Sequence, residues 1–227
     1  MHKLHVTDSY GEFSIETRIF ELIDERMYLI RFEDQLLVVD PYEDAVLLSE
    51  IEGKSVTVFL THEHFDHISG VNAMRQVAEI CVYASDTCAK YIEDESLNHT
   101  KRFPFLFFQD REKMHKAREY VRKPYECRAD VTFSSDITID LSGHKLYMRK
   151  TPGHSPGGAM LLIDDQYLFA GDSLLGNGME LRSIGADEAA YRQAVLAYVK
   201  QLKEDTRVFP GHGEEAGLTW FLERILG

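Results

Sequence analysis

Short apolar runs separated by polar punctuation set the pattern of the N-terminal part of the chain. Phe13 to Phe20 alternates and predicts a strand. Met27 to Phe32 and Gln35 to Val39 predict a hairpin turned at Glu33-Asp34 and ended by Asp40-Pro41. Ala45 to Ile51 predicts a short helix closed by Gly53. The β-branched run Ser55 to Leu60 has the continuous apolar character of a buried strand. It leads straight into Thr61-His62-Glu63-His64-Phe65-Asp66-His67. A helix is expected from Asp66 to Val77, a short strand at Val82-Tyr83, and a helix to about Glu93 capped by Ser85.

Residues 97 to 130 break this rhythm. Between Lys101 and Lys123 eight basic residues face three acidic ones, and Phe103, Phe105, Phe107 and Phe108 fall in the same stretch. The segment reads as an inserted helical excursion rather than part of a sheet. Strands return at Ile137 to Leu141, His144 to Lys150, Met160 to Ile163 and Tyr167 to Ala170. Asp187 to Lys203 is an amphipathic helix, with Ala190, Ala194, Val195, Tyr198 and Leu202 on one face. Arg207 to Phe209 predicts a last strand and Leu218 to Leu226 a last helix. Two broadly similar halves of strands and helices suggest two packed sheets with helices outside, in a single domain spanning 1–227.

The chain has 227 residues, long enough to bury a sizeable core without disulfides or a structural metal. Its net charge of −13 argues against broad binding of nucleic acid or an anionic membrane, which Lys and Arg would have to hold. Cys81, Cys88 and Cys127 are odd in number and lack CxxC spacing, so a reducing, cytoplasmic setting with free thiols is expected. The opening MHKLHVTDSYGEF has no apolar leader, and no run is long enough to span a bilayer.

Histidine placement carries the chemistry. Of ten histidines, five sit in short motifs after predicted strands: His62, His64, His67, His154 and His212. Asp66 lies in the first motif, and Asp172 follows the strand YLFAG. Imidazole and carboxylate are the donors of a zinc-like site. His62 and His64, two apart in an extended turn, point to one side and can share a metal. Asp66 and His67 begin the next helix and aim elsewhere, which suits a second ion. Seven donors exceed one tetrahedral ion, whereas two ions roughly 3.5–4 Å apart with a bridging carboxylate would use them all. Alone, each piece has a plain structural explanation; together, in this order, they do not.

THEHFDHISG at 61–70, TPGHSPGG at 151–158, GD at 171–172 and PGHG at 210–213 closely resemble the metallo-β-lactamase superfamily, and DPYED at 40–44 is similar to its early Asp-Pro turn. The resemblance implies an α/β fold, an αββα four-layer sandwich, with the 97–130 insert added to it. It implies His62, His64 and His154 on one metal, Asp66, His67 and His212 on the other, and Asp172 bridging. Two divalent ions are expected, zinc first, with iron or manganese also suited to the donors. Asp66 would also orient the metal-bound hydroxide.

The motif order is most similar to the hydroxyacylglutathione hydrolase (glyoxalase II) branch, which implies hydrolysis of a small thioester or ester. The helical extension that binds glutathione there is missing after His212, and LLGNGMELRS lacks the branch's Gly-Arg pair, although Arg182 stands nearby. The insert is a candidate lid, with Lys101, Arg102 and Arg111 as candidate anion contacts. Lactonase, phosphodiesterase and single-iron persulfide dioxygenase chemistry, and a non-catalytic metal-binding domain, are the alternatives. A small-molecule substrate, neither nucleic acid nor membrane, and a monomer or homodimer complete the expectation.

Overall fold

Along a strand, alternate side chains face opposite sides of the sheet, and here that parity sorts residues into separate apolar layers. In the segment Ala159–Ile163, Ala159, Leu161 and Ile163 belong to one layer, while Met160 and Leu162 belong to another. A computed structural model describes residues 5–227; the first four residues of the opening stretch MHKLHVTDSYGEF lie outside them.

The first sheet contains β1 (His5–Tyr10), β2 (Phe13–Phe20), β3 (Glu25–Arg31), β4 (Leu36–Val39), β5 (Ser55–Phe59), β6 (Glu79–Ser85) and β7 (Val131–Phe133), ordered 1-2-3-4-5-6-7. Its first four strands are antiparallel and the later ones pair in parallel. The second contains β8 (Ile137–Leu141), β9 (His144–Lys150), β10 (Ala159–Ile163), β11 (Tyr167–Gly171), β12 (Arg207–Pro210) and β13 (Ala216–Gly217), ordered 13-12-11-10-9-8. Ile15, Tyr28, Ile30, Val39 and Phe59 of the first sheet meet Leu146, Met148, Leu161, Phe169 and Phe209 of the second in the central layer.

Helices cover the outer faces. Under the first sheet lie α1 (Ala45–Ile51), α2 (Phe65–Ile68), α3 (Val71–Val77), α4 (Asp86–Ile92) and α5 (Arg111–Tyr120). Over the second lie α6 (Glu188–Tyr191), α7 (Ala197–Val199) and α8 (Leu218–Leu226). The layers are therefore αββα, as the resemblance implied. Asp44, Ser85, Asp110 and Asp187 cap their helices by accepting backbone N–H bonds, the Ser85 cap as expected.

Several local expectations change. The helix predicted from Asp66 to Val77 is broken at Ser69-Gly70. There the Gly70 N–H donates to Pro41 O, and a Cβ on Gly70 would lie 2.5 Å from Tyr42 O, so only glycine lets the two backbones cross. The strand at Val82-Tyr83 extends over Glu79–Ser85 because it pairs along its length with β5. β2 is buried on both faces, with Glu16 and Arg18 inside, instead of showing a polar face. The Asp187–Lys203 helix contains a wider π-type turn, Arg192–Leu196, which rotates the buried face onto Tyr191, Val195, Leu196 and Val199. β1, β7 and β13 carry too little apolar pattern to be expected.

The 97–130 segment is helical only in part. Thr100–Phe107 is a 3-10 helix and α5 follows, but the remainder has no regular structure, and Asp130 N–H donates to Val82 O at the sheet edge. Its two ends are clamped together. Asn98 Nδ2 donates to Tyr125 O (2.7 Å), Cys127 N–H donates to Ile92 O, and Tyr125 Oη donates to Ile68 O.

The buried polar residues of β2 form an ion-pair network with α1. Arg18, 1% exposed, reaches Glu16 at 2.6 Å and Glu50 at 2.8 Å, and Arg31 joins both carboxylates. Burial would raise the Glu16 carboxyl, but Arg18 and Arg31 hold it below its ordinary value of 4.5. Its contribution is complete above that value and is lost as pH falls through the lower folded one. Replacing Arg18 by Met leaves the buried Glu16 carboxylate with only the half-exposed Arg31 as partner, and urea unfolding at pH 7 should show a loss of about 1–3 kcal/mol. The loss should shrink towards pH 3, where the Glu16 carboxyl takes up a proton.

Candidate metal centre

The carboxyl ends of β5, β11 and β12 open at one edge of the sandwich, where side chains from separate strands can converge. His62 and His64 follow β5, Asp66 and His67 lie in α2, Asp172 follows β11, His212 follows β12, and His154 sits between β9 and β10. All but His212 are buried. One donor atom from each of His62, His64, His154 and Asp172 falls within 4.8 Å of the others, and the same holds for Asp66, His67 and His212. All seven sequence-predicted residues thus come together.

Outer hydrogen bonds orient the rings. His154 Nδ1–H donates to Glu180 O (2.8 Å) and His212 Nδ1–H to Ile23 O (3.0 Å), which leaves each Nε2 with a lone pair facing inward. Asp40 fixes two more. Its Oδ1 accepts from Thr61 N–H (2.7 Å), while its Oδ2 accepts from Thr61 Oγ1 (2.5 Å) and lies 2.9 Å from His67 Nδ1. Because the Thr61 hydroxyl donates to Asp40, it accepts from His62 Nδ1 at 3.0 Å. The Nε2 atoms of His62 and His67 then have no hydrogen-bond partner although buried, and neither has Asp172 Oδ1. Such orphaned acceptors are the expected signature of a cation-binding position.

Spacing supports the fit. Donors about 2.1 Å from a tetrahedral ion are about 3.4 Å from one another. Asp66 Oδ2 lies 3.6 Å from His67 Nε2 and 3.4 Å from His212 Nε2. Asp172 Oδ1 lies 3.5 Å from His67 Nε2 and 3.6 Å from His212 Nε2, while its Oδ2 lies 3.5 Å from His154 Nε2. One carboxylate therefore presents an oxygen to each donor group.

Electrostatics differ across the cluster. Burial and the neighbouring histidines push His62 and His64 well below the usual imidazole range. Burial opposes charge on His67 as well, yet Asp66, Asp172 and Asp40 raise it well above that range. Burial would raise the Asp66 carboxyl, but His67 and His212 hold it far down. Burial leaves Glu25, next to His212, well above the carboxylate range with neither oxygen bonded.

A cleft of about 640 Å³ leads to this cluster. Arg102 and Arg182 line it, but Lys101 and Arg111 do not. Lys101 pairs instead with Glu95 at 2.5 Å, and Arg182 with Glu180 at 2.5 Å. A larger hollow of about 930 Å³, between α3 and residues 120–126, contains none of the seven donors. His99 also lines the cleft, stacking on His64 with ring centroids 4.5 Å apart. Nothing in its spacing singled it out, because it belongs to the insert rather than to a strand-end motif. In the sequence Thr61 carries no signal beyond its motif, and Asp40 none beyond a turn.

The family model for the metallo-beta-lactamase superfamily matches residues 25–212. A probable metallo-hydrolase, YqgX, from Bacillus subtilis (strain 168) is 29% identical over 199 residues, covering 85% of this chain and 87% of that protein. A hydroxyacylglutathione hydrolase from Shewanella baltica (strain OS223) is 28% identical over 181 residues and covers 78% of this chain. The chain spans 56% of that relative's length. Among solved structures, the BLEG-1 B3 metallo-beta-lactamase superposes with a TM-score of 0.71 at 23% identity, covering 88% of this chain and 92% of that one. Fold, strand-end donors and the family match agree: the chain belongs to the metallo-beta-lactamase superfamily, as a metal-dependent hydrolase.

Proposed function

We propose that the chain is a binuclear-metal hydrolase of a small thioester or ester. The observation that carries this reading is the Asp172 carboxylate, with Oδ2 3.5 Å from His154 and Oδ1 3.5 Å from His67. His62, His64 and His154 would hold one divalent cation, Asp66, His67 and His212 the other, and Asp172 would be shared. Zinc suits this imidazole and carboxylate set, and iron or manganese would also be accepted. Bound cations of this kind supply a water ionised near neutrality and a Lewis-acid contact for a substrate oxygen.

The chain's own groups do the rest. Asp66, kept ionised by His67 and His212, accepts a hydrogen bond from the attacking water and orients it. Asp40 and Thr61 hold His62 and His67 in one tautomer, so no ring turns away during turnover. The insert walls the cleft with Phe103 and Phe107 and limits water around the reacting carbonyl. Arg102, exposed at the rim and without a carboxylate partner among the described residues, meets an anionic leaving group; Arg182 lines the facing side but is paired with Glu180. The chain spans 56% of the length of the Shewanella baltica hydroxyacylglutathione hydrolase, and the thioester or ester class is what this reading takes from that relative.

Elemental analysis of the purified chain, run with a panel of thioesters, esters, lactones and phosphodiesters, should find about two metal ions per chain and turnover of a thioester or ester. A single iron, no hydrolysis, and oxygen uptake with a thiol persulfide would replace this reading by an oxygenase.

Asp40→Ala should weaken metal binding about 10- to 100-fold in a chelator competition, with the circular dichroism spectrum retained. Gly211→Ala should also lower the metal content, because a Cβ there would meet Asp172 Oδ1 and His67 Cε1. Arg102→Ala should raise KM for an anionic thioester, whereas Lys101→Ala should leave it unchanged, since Lys101 is engaged by Glu95 away from the cleft.

A further inference from the structure

The cleft above the donor cluster has walls of a particular chemistry. On the insert side it is lined by Phe103, Leu106 and Phe107, and on the facing side by Leu175 and Ile184. Phe103 and Leu175 are buried, whereas Leu106 is 61% and Ile184 62% exposed. Apolar side chains thus line the cleft both in its buried part and at its solvent-exposed rim. Large aliphatic side chains held in water at a cleft mouth gain free energy from any apolar ligand that covers them.

Some polar groups on these walls are engaged within the protein, while Arg102 at the rim has no carboxylate partner among the described residues. Arg182 is bound by Glu180 through Nε and Nη2, and Ser183 Oγ donates to His154 O. The insert wall is held in register by the Asn98 to Tyr125 clamp, and Asn98 Oδ1 also accepts from Thr100 N–H and Oγ1. A wall fixed in this way is a preformed surface, which suits the largely preorganised sites of small-molecule ligands. About 640 Å³ exceeds what a two- or three-carbon acyl group fills.

From this geometry we propose that the substrate's acyl part is an apolar chain of about four to eight carbons, seated between Leu106 and Phe107 on one side and Ile184 on the other. The inference rests on the thioester or ester reading and narrows its substrate class. Leu106, Phe107 and Ile184 are then specificity-determining residues. The cleavage itself is ordinary hydrolysis: water adds to the acyl carbon, the carbon–sulfur or carbon–oxygen bond breaks, and a carboxylic acid and a thiol or alcohol leave.

The test compares acetyl, butyryl and octanoyl thioesters of N-acetylcysteamine with the metal-loaded full-length chain. kcat/KM should rise at least about tenfold from acetyl to octanoyl, because each added methylene is transferred from water to an apolar wall. Leu106→Asp and Ile184→Asp should each flatten that ratio. A ratio near one in a chain that does hydrolyse the acetyl ester overturns the inference and leaves the hydrolase reading intact. If no thioester is hydrolysed, calorimetric titration with octanoate and acetate decides separately. Tighter octanoate binding that is lost in Leu106→Asp supports the acyl site, and equal binding overturns it. Sedimentation of the same variants covers a second copy as occupant: Leu106→Asp that turns a dimer into a monomer without changing the acyl ratio also overturns it.

Discussion

A single buried carboxylate disciplines the donor cluster. Asp40 ends β4 with a φ of 50° and is 1% exposed, yet it accepts three hydrogen bonds. Through Thr61 it sets the tautomer of His62, and directly it sets that of His67. These two rings belong to different donor groups, with centroids 4.2 Å apart. Without a common acceptor, two buried imidazoles at that distance would compete for protons and for orientation. The strand end therefore does more than present side chains; it fixes which nitrogen of each ring keeps a lone pair.

The architecture brings the remaining donors to the same point. β4, β5 and β6 run in parallel, as do β11 and β12, so their carboxyl ends open at a common edge. The loop carrying His212 is tied back to the other sheet, since Arg26 N–H donates to Gly211 O and Tyr28 Oη to Pro210 O at 2.6 Å. Gly211 leaves room for the Asp172 carboxylate beside it. The layers of the sandwich are thus locked at the edge where the donors converge.

Much of this was legible in the order of residues. The seven donors stood out because strand-terminal histidines in fixed motifs are rare, and the layers followed from apolar runs of strand length. What stayed hidden was settled by tertiary contact. β7 is three residues long and exists only by pairing with β6. The interruption at Ser69-Gly70 arises from a crossing backbone at Tyr42, and no local propensity announces it. Arg18 lies inside because Glu16 and Glu50 meet it there, which a polar residue in an alternating run conceals. His99 reaches His64 from a segment remote in sequence, with a backbone φ of 63° that no motif encodes.

The clamp at the base of the insert has an evolutionary side. Its two ends, Asn98 and Tyr125, are joined by one hydrogen bond and anchored on Ile68, so the chain enters and leaves the insert at almost the same place. Closing a longer or shorter loop between fixed ends changes the chain entropy only slowly. The stretch between them can therefore be lengthened, shortened or recomposed as a cassette while the strand ends beneath it stay in register. Two descendants of one ancestor could then share every donor atom and differ entirely in what they admit.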